Sequence, residues 1–258
     1  MNLSISNIAW SGEYDTEMYE FLKEQGFTGL EIAPTRLFPE TPYNNLLQAE
    51  SFAAMLKNRY GLRVSSLQSI WFGKNESIFG TNEDRETLID YTKKAIEFAE
   101  VMDCKNLVFG CPKNRNLPNP ESLPIAIGFF REIGNYAKDH NTTIAIEPNP
   151  TIYNTNFINT TQEAFEICKQ INCDSIKVNI DMGTIIQNGE DLEVVRENLA
   201  LVNHIHVSEP YLEVIKQREL HKELKTLDFH KFISIEMKNL NNIELVKETV
   251  KYIKGVIS

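Results

Sequence analysis

Short apolar runs rich in isoleucine and valine alternate along the chain with longer stretches in which apolar residues recur every three or four positions. The short runs have the length of buried strands, and the longer stretches have the spacing of amphipathic helices. Such alternation is typical of βα units that build a parallel sheet. The eight predicted strands are LSISNIA (from Leu3), FTGLEIA (from Phe27), LRVSSLQ (from Leu62), KNLVFG (from Lys105), TTIAIE (from Thr142), SIKVNID (from Ser175), HIHVS (from His204) and FISIEM (from Phe232).

Six of the intervening stretches have a clear helical spacing, so each has one apolar face to lay against the sheet. They are TEMYEFLKEQG, ETLIDYTKKAIEFAEVM, PIAIGFFREIGNYAKDH, TQEAFEICKQI, EDLEVVRENLALV and ELVKETVKYIKGVI. A further helix between the last two strands, from about Leu220 to Leu227, has room for barely two turns. We hypothesise that a partner subunit completes this short helix, which would make the protein a homo-oligomer.

The number of repeated units distinguishes between the two common parallel α/β folds. Eight strands in 258 residues give about 32 residues per unit. An open doubly wound sheet usually has fewer strands and a glycine-rich first turn, whereas a (β/α)8 TIM barrel has eight such units in about 250 residues. The chain contains no proline- or serine-rich linker and no low-complexity tract. We therefore predict an α/β fold with a single (β/α)8 TIM barrel domain over residues 1–258.

Composition excludes several classes of function. The chain has 26 Lys and Arg against 36 Asp and Glu, a formal net charge of −10, and an acidic surface repels nucleic acid and anionic membranes. No stretch approaches the ~18 consecutive apolar residues of a membrane helix, and the N-terminus lacks a secretory signal pattern. The four cysteines include no C-x-x-C pair and are too few for a disulfide framework. We expect a cytoplasmic protein without nucleic-acid or membrane partners.

Four consecutive strands carry polar residues where reactive groups of a parallel barrel collect. Glu147 ends the fifth strand, Asp181 ends the sixth, His206 lies on the seventh and Glu236 lies on the eighth. Inward-facing residues alternate along each strand, and the loops that follow the strands form the functional end of a TIM barrel. Counting back by twos places these residues on the same inward face: Ala145, Asn179, His204 and Ser234. The pattern predicts that three carboxylates and an imidazole face one mouth.

A divalent cation would resolve the repulsion among three clustered carboxylates. Any one of them alone is often just the first solvated residue of a loop, but four neighbouring strand ends seldom all supply oxygen or imidazole ligands. Three oxygens and one nitrogen with open coordination positions suit Mn²⁺, Mg²⁺ or Co²⁺ better than a thiolate-preferring zinc site. We expect Mn²⁺ in the first place, with Mg²⁺ or Co²⁺ as alternatives.

The same residues carry a resemblance to a known family that extends over nearly the whole chain. The strings IAIEPN, VNIDMGT, HIHVSEP and ISIEMK resemble the metal-binding strand ends of the xylose isomerase-like (AP endonuclease family 2) TIM-barrel superfamily of sugar isomerases and epimerases. This resemblance implies that Glu147, Asp181, His206 and Glu236 hold the metal. The strings NIAW, LEIAPTR, LVFGCPKNR and SEP resemble a bacterial subfamily associated with surface-polysaccharide sugars. One departure is Thr184, which stands where the ketose 3-epimerase branch usually has a substrate-contacting histidine.

The resemblance implies a metal-dependent enzyme that isomerises or epimerises a sugar, a sugar phosphate or a nucleotide-linked sugar. A cation would stabilise an enediolate, and Glu147 and Glu236 would act as the acid/base pair on its opposite faces. A dehydratase (lyase) of the inosose or dehydroshikimate type would share the first step, and a non-catalytic sugar-binding barrel is a third reading. A DNA-repair nuclease of this fold is disfavoured, because the chain has five histidines and no basic face.

The residues expected to bind a small-molecule sugar follow the strands. Lys113 and Arg115 form a basic cluster suited to a phosphate or sugar-acid group, with an ordinary solvated loop as the alternative. Glu31 and Gln68 are expected to hydrogen-bond hydroxyl groups, and Trp10 to form an apolar wall, unless it simply fills a gap between loops. The remaining candidates at the mouth are Asn149, Glu209 and Lys238, of which Glu209 is expected to orient a hydroxyl or His206.

Overall fold

Eight parallel strands form the framework in the computed structural model, which describes residues 1–257. Seven neighbouring pairs follow the order β1-β8-β7-β6-β5-β4-β3-β2, and a parallel bridge between Ser6 and Glu31 brings the first two strands together. The strands are β1 (Asn2–Ile5), β2 (Gly29–Ile32), β3 (Arg63–Leu67), β4 (Leu107–Phe109), β5 (Ile144–Ile146), β6 (Ile176–Asp181), β7 (Val202–Val207) and β8 (Phe232–Ile235). This nearly closed barrel confirms the predicted (β/α)8 fold. Ser258, the last residue of the predicted domain, lies outside the described residues.

The helices surround the barrel, and six of them correspond to the predicted amphipathic stretches. The α-helices are α1 (Asp15–Glu24), α2 (Pro34–Leu37), α3 (Leu46–Met55), α4 (Asn82–Val101), α5 (Leu123–Asp139), α6 (Thr161–Ile171), α7 (Met182–Asn188), α8 (Glu193–Glu197), α9 (Glu219–Glu223) and α10 (Ile243–Ile257). Short 3-10 turns, such as Leu224–Thr226 after α9, complete several connections. Within residues 1–257, every helix is too short or too polar to cross a membrane.

The sequence interpretation missed three helices, α2, α3 and α7, of which α2 has only four residues. In α3 the apolar residues lie around the whole circumference rather than on one face, since Leu47 is exposed while Ala49 is buried. In α7 the apolar run MGTII directly continues the sixth strand. There the Asp181 side chain accepts hydrogen bonds from the backbone N–H groups of Gly183 and Thr184, and this N-cap turns the chain from strand into helix.

The barrel interior is polar along one column, whereas the spaces between strands and helices are apolar. Ser4 and Ser65 hydrogen-bond to each other through their hydroxyl groups at 2.6 Å. His204 Nε2 lies 2.8 Å from the hydroxyl of Ser234, and Asn179 contacts His206. These contacts agree with the predicted inward face of the sixth, seventh and eighth strands. These polar residues fill the barrel interior below the carboxyl ends of the strands.

Candidate active site

Three residues converge at the carboxyl ends of the strands. Glu147 directly follows β5, His206 lies on β7, and Glu236 directly follows β8. His206 Nδ1 lies 3.0 Å from Glu147 Oε2 and 3.2 Å from Glu236 Oε2. One ligand atom from each residue falls within 4.8 Å of the other two. The three side chains therefore offer two oxygens and one nitrogen to a common point.

Glu31, which lies deeper in the barrel than Glu147 and Glu236, sets the orientation of His206. Glu31 Oε2 lies 2.9 Å from His206 Nε2 and 3.3 Å from His204 Nε2. Burial alone would raise the pKa of Glu31, but the adjacent imidazoles outweigh it and hold that pKa below its ordinary value. Because Glu31 is completely buried, it does not reach a ligand in the mouth, and the expectation that it binds hydroxyl groups is corrected. Its bond to Nε2 leaves Nδ1 of His206 facing the two glutamates.

The side-chain amides of Asn149 and Asn179 hold the Glu147 carboxylate, and the missing side chain at Gly110 leaves room for it. Asn149 donates from Nδ2 to Oε1 of Glu147 at 3.2 Å, and Asn179 donates from Nδ2 to Oε2 at 2.6 Å. A Cβ atom at position 110 would lie only 3.0 Å from Glu147 Oε1. The carboxylate is thus fixed in the plane that directs Oε2 toward His206.

Asp181 lines the same mouth but lies outside the three-residue group. Its Oδ2 accepts from the backbone N–H of Thr184 at 2.9 Å and from the Thr184 hydroxyl at 2.8 Å. Its Oδ1 accepts from the N–H of Gly183 and from the hydroxyl of Ser208. Burial, together with the charge of Glu147, raises the pKa of Asp181 to about 6. Thr184 therefore positions Asp181.

The donor set fits a divalent cation. Burial raises the pKa of Glu236 to about 7, and the charges of Glu147 and Glu31 add to this effect. Burial would lower the pKa of His206, but the surrounding carboxylates raise it well above its ordinary value. Crowded carboxylates around one imidazole nitrogen are the environment in which a cation replaces protons. Deeper in the barrel, a second group with the right donor types consists of Glu31, His204 and His206. Neither group identifies the metal.

A cavity of about 200 Å³ opens above this cluster. Its lining includes three residues that the sequence interpretation missed: Tyr153, Cys111 and Leu212. The Tyr153 hydroxyl accepts a hydrogen bond from the backbone N–H of Tyr211 at 2.7 Å, which joins the loops after β5 and β7. No periodic signal marks loop residues of this kind. The complete lining is Gln68, Ser69, Val108, Gly110, Cys111, Pro112, Glu147, Asn149, Tyr153, Asp181, Leu212 and Glu236.

Of the residues expected to bind substrate, Gln68 and Asn149 line the cavity, and Arg115 does not. Arg115 is completely buried, and its Nη2 donates to the backbone carbonyl of Glu147 and to Oδ1 of Asn149, both at 2.9 Å. This corrects the expectation that Arg115 recognises a phosphate, since the guanidinium is turned into the protein. Lys113 is exposed on the turn Pro112–Asn114, outside the lining, and its role stays a prediction.

Glu209 and Lys238 lie outside the cavity lining. Glu209 accepts from Nε of Arg218 at 2.7 Å and forms a second bond with Nη2 of the same guanidinium. Lys238 pairs with Glu213. Both ion pairs fasten the loop that follows β7. Because Glu209 is buried and both its oxygens are bound to Arg218, the structure gives it a role in positioning this loop and corrects the expectation that it contacts substrate. The substrate role of Lys238 stays a prediction.

Trp10 does not form a wall of the cavity. Its ring is buried, its Nε1 donates to Oδ1 of Asp15 at 2.8 Å, and the Arg36 guanidinium lies over the ring, 5.8 Å from its centroid. Trp10 therefore packs between loops, which is the alternative given above, and the expectation that it contacts substrate is corrected.

Comparisons with known proteins agree with the barrel fold. The family model described as xylose isomerase-like TIM barrel matches residues 19–256. Among curated proteins, none matches the chain by sequence.

Several solved structures resemble the chain over almost its full length. The 3-keto-D-glucoside 4-epimerase YcjR of E. coli has 18% identity and a TM-score of 0.80, covering 99% of each chain. D-Psicose 3-epimerase of Clostridium cellulolyticum H10 has 15% identity and a TM-score of 0.81, covering 100% of each chain. The probable 3-DHS dehydratase AsbF of Bacillus anthracis has 18% identity and a TM-score of 0.72, covering 97% of this chain and 98% of its own. At these identities the likeness shows the fold.

Proposed function

Because the chain belongs to the xylose isomerase-like TIM barrel family, we propose that it is a divalent-metal-dependent sugar isomerase or epimerase. The observation that carries this proposal is the convergence of Glu147, His206 and Glu236 on one point at the mouth of the barrel. Structural neighbours that are sugar epimerases support the same reaction class. We propose Glu147, His206 and Glu236 as metal ligands, with Asp181 as the fourth.

The cation would act as a Lewis acid toward the substrate carbonyl and its neighbouring hydroxyl. Glu147 and Glu236 approach the cavity from β5 and β8, with one carboxylate oxygen of each within 4.8 Å of the other. One glutamate, as a carboxylate, would remove a proton from the carbon next to the carbonyl, and the other, as a carboxylic acid, would donate its own proton, so that the two exchange protonation states. Donation to the opposite face of the same carbon inverts that centre, whereas donation to the neighbouring carbon moves the carbonyl.

The surrounding residues would keep the two glutamates in position. Asn149 and Asn179 hold both oxygens of Glu147, which limits rotation of the carboxylate. Gln68 and Tyr153 offer uncharged hydrogen-bonding groups to substrate hydroxyls at the sides of the cavity. Cys111 is not a nucleophile in this scheme, because burial raises its pKa to about 12.

A metal titration tests the proposal without knowledge of the substrate. Isothermal titration calorimetry with Mn²⁺ should show one site in the wild type, and Glu147→Gln and Glu236→Gln should each weaken it by more than the 10–100-fold typical of residues behind the ligands. The matched control is Glu219→Gln, since Glu219 is exposed on α9. If both variants bind Mn²⁺ as the wild type does, the proposed metal centre is wrong.

Deuterium incorporation tests the chemistry. Incubation of the Mn²⁺-loaded protein with ketoses in D₂O should place deuterium on carbon, and both glutamine variants should abolish this exchange. Release of water with a conjugated carbonyl, seen by ultraviolet absorbance, would indicate a dehydratase instead. Metal binding with neither exchange nor elimination on any sugar would contradict the proposed enzymatic activity.

A further inference from the structure

We infer that the substrate of this site is an uncharged sugar, of which one monosaccharide unit occupies the cavity, and not a sugar phosphate. This inference rests on the proposed function and refines it. The observations that carry it are the chemistry of the cavity lining, the orientation of the nearby cationic side chains and the cavity volume.

The lining of the cavity contains no lysine or arginine among the residues the structure describes. Its charged members are the three carboxylates Glu147, Asp181 and Glu236. The other polar members are neutral: Gln68, Ser69, Asn149 and Tyr153. Amides and hydroxyls both donate and accept hydrogen bonds and so match sugar hydroxyl groups, whereas a phosphate requires cationic or backbone donors.

Arg115 is the cationic residue closest to the carboxylate cluster in the hydrogen-bond network, but it does not face the cavity. Its Nη2 is bound to the carbonyl of Glu147 and to Asn149. Its Nε and Nη1 are buried without a partner in the structure. Since these atoms are buried, a phosphate in the cavity would reach them only if the loop after β4, which carries Arg115, moved.

Two cationic residues, Arg218 in the loop after β7 and Lys238 in the loop after β8, are occupied by carboxylates. Arg218 is held by both oxygens of Glu209, and Lys238 is paired with Glu213. Both pairs fasten the segment that carries Leu212 over the cavity. Recruiting either cation to a phosphate would break an ion pair and release that segment, so neither provides a ready anion site.

The charged side chains of the lining favour the same conclusion. They are all carboxylates, so an anionic group brought into the cavity meets side chains that attract cations and not anions.

The volume limits the size of the bound group. A cavity of about 200 Å³ lies below the range of roughly 300–1,000 Å³ that encloses drug-sized ligands. One monosaccharide unit is the scale that suits it. A nucleotide joined to that unit would have to lie outside this volume.

Matched sugar pairs test this inference. The probes are D-fructose with D-fructose 6-phosphate, and D-ribulose with D-ribulose 5-phosphate, each examined for binding by calorimetry and for deuterium exchange with the Mn²⁺-loaded protein. We expect the neutral member of at least one pair to bind and exchange at least about 100-fold better than its phosphate, as like-charge repulsion of this kind predicts. Inorganic phosphate alone should show no saturable binding.

Three variants sharpen the test. Leu212→Arg places a cation in the lining and should shift the preference toward the phosphorylated member by about tenfold or more. The control Lys105→Ala should change neither preference, because Lys105 pairs with Asp103 ahead of β4, at the end of that strand opposite the mouth. A loss of sugar-phosphate binding in Lys113→Ala would overturn the inference.

The outcomes separate this inference from the proposed function. Equal or better binding of the phosphorylated sugars overturns the substrate class, while the metal titration and the exchange chemistry stand. Failure of every probe to bind also overturns it. Neutral sugars that bind without exchanging support the substrate class and contradict the proposed reaction.

Discussion

Glu31 offers a direct test of whether the buried layer beneath the cluster controls metal affinity. The change Glu31→Gln keeps the shape of the side chain but removes its charge. In the wild type, Glu31 Oε2 lies 2.9 Å from Nε2 of His206, and Glu31 Oε1 is buried without a partner. The glutamine oxygen can still accept the bond from Nε2, so the imidazole keeps its orientation. What the variant loses is the charge that makes His206 a better ligand.

The magnitude follows from the one bond that changes. A hydrogen bond to a charged group contributes about 1.5–3 kcal/mol and a neutral one about 0.5–1.5 kcal/mol. The difference of about 1–1.5 kcal/mol corresponds to roughly a tenfold change in an equilibrium constant. Partners behind metal ligands typically contribute 10–100-fold in affinity. We therefore expect Glu31→Gln to weaken Mn²⁺ binding by about 10–30-fold.

Calorimetric titration with Mn²⁺ measures this effect, and urea unfolding checks that the fold is intact. The matched control is Glu209→Gln, which also removes a buried carboxylate at a strand end, but one that is bound to Arg218 and lies outside the cavity lining. It should lower the free energy of unfolding and leave Mn²⁺ affinity unchanged. A folded Glu31→Gln protein with wild-type Mn²⁺ affinity would refute the reasoning about the buried layer.

Three further predictions concern neighbouring positions. Gly110→Ala should weaken Mn²⁺ binding by about tenfold, because the added Cβ would press on the Glu147 carboxylate. The control Gly128→Ala, whose added Cβ would meet nothing within 4 Å, should leave Mn²⁺ binding unchanged and raise the free energy of unfolding by about 0.5–1 kcal/mol. Equal Mn²⁺ affinities in the two variants would contradict this prediction. Arg115→Met should lower the free energy of unfolding in urea by about 2–3 kcal/mol, because two buried oxygens lose their donor, and an unchanged midpoint would argue against that role. Burial alone would raise the pKa of Glu209, but the adjacent guanidinium lowers it; the stability advantage of the wild type over Glu209→Gln should therefore be full above the unfolded-state pKa of about 4.3 and decrease as pH falls further, and an advantage that grows in acid would contradict this.

The sequence predicts all eight strands because buried parallel strands appear as short apolar runs with a fixed alternation. The same alternation correctly places Asn179, His204 and Ser234 on the inner face, where they contact one another or the site above. Helix α3 could not be found in this way, since its exposed Leu47 removes the one-sided pattern. Short apolar runs thus predict the buried strands, and one-sided apolar spacing predicts the amphipathic helices, but neither pattern marks a helix such as α3, whose apolar residues are partly exposed.

The contacts of side chains in loops are harder to predict from the sequence than those of side chains on strands. The direction of a side chain at a strand end follows from the pleat, but after a turn it depends on partners far away in the chain. Arg115 bonds to groups 32 and 34 residues further along, and Glu209 is taken by Arg218, which follows it in the same loop. A basic residue near the mouth therefore suggests an anion site in the sequence, although in the structure it supports the backbone of Glu147.

Asp181 caps the start of helix α7 and is also the proposed fourth metal ligand. A carboxylate has about four lone-pair positions, and in the structure four donors use them, from Gly183, Thr184 and Ser208. The two backbone N–H donors are fixed by the start of α7, whereas the hydroxyl groups of Thr184 and Ser208 can rotate, and that of Thr184 already contacts the carbonyl of Pro148 at 2.8 Å. For Asp181 to serve as the fourth metal ligand, a hydroxyl has to release one oxygen. The cap of α7 and the cation would then share this carboxylate, which explains how a residue at the start of a helix can also belong to the mouth of the barrel.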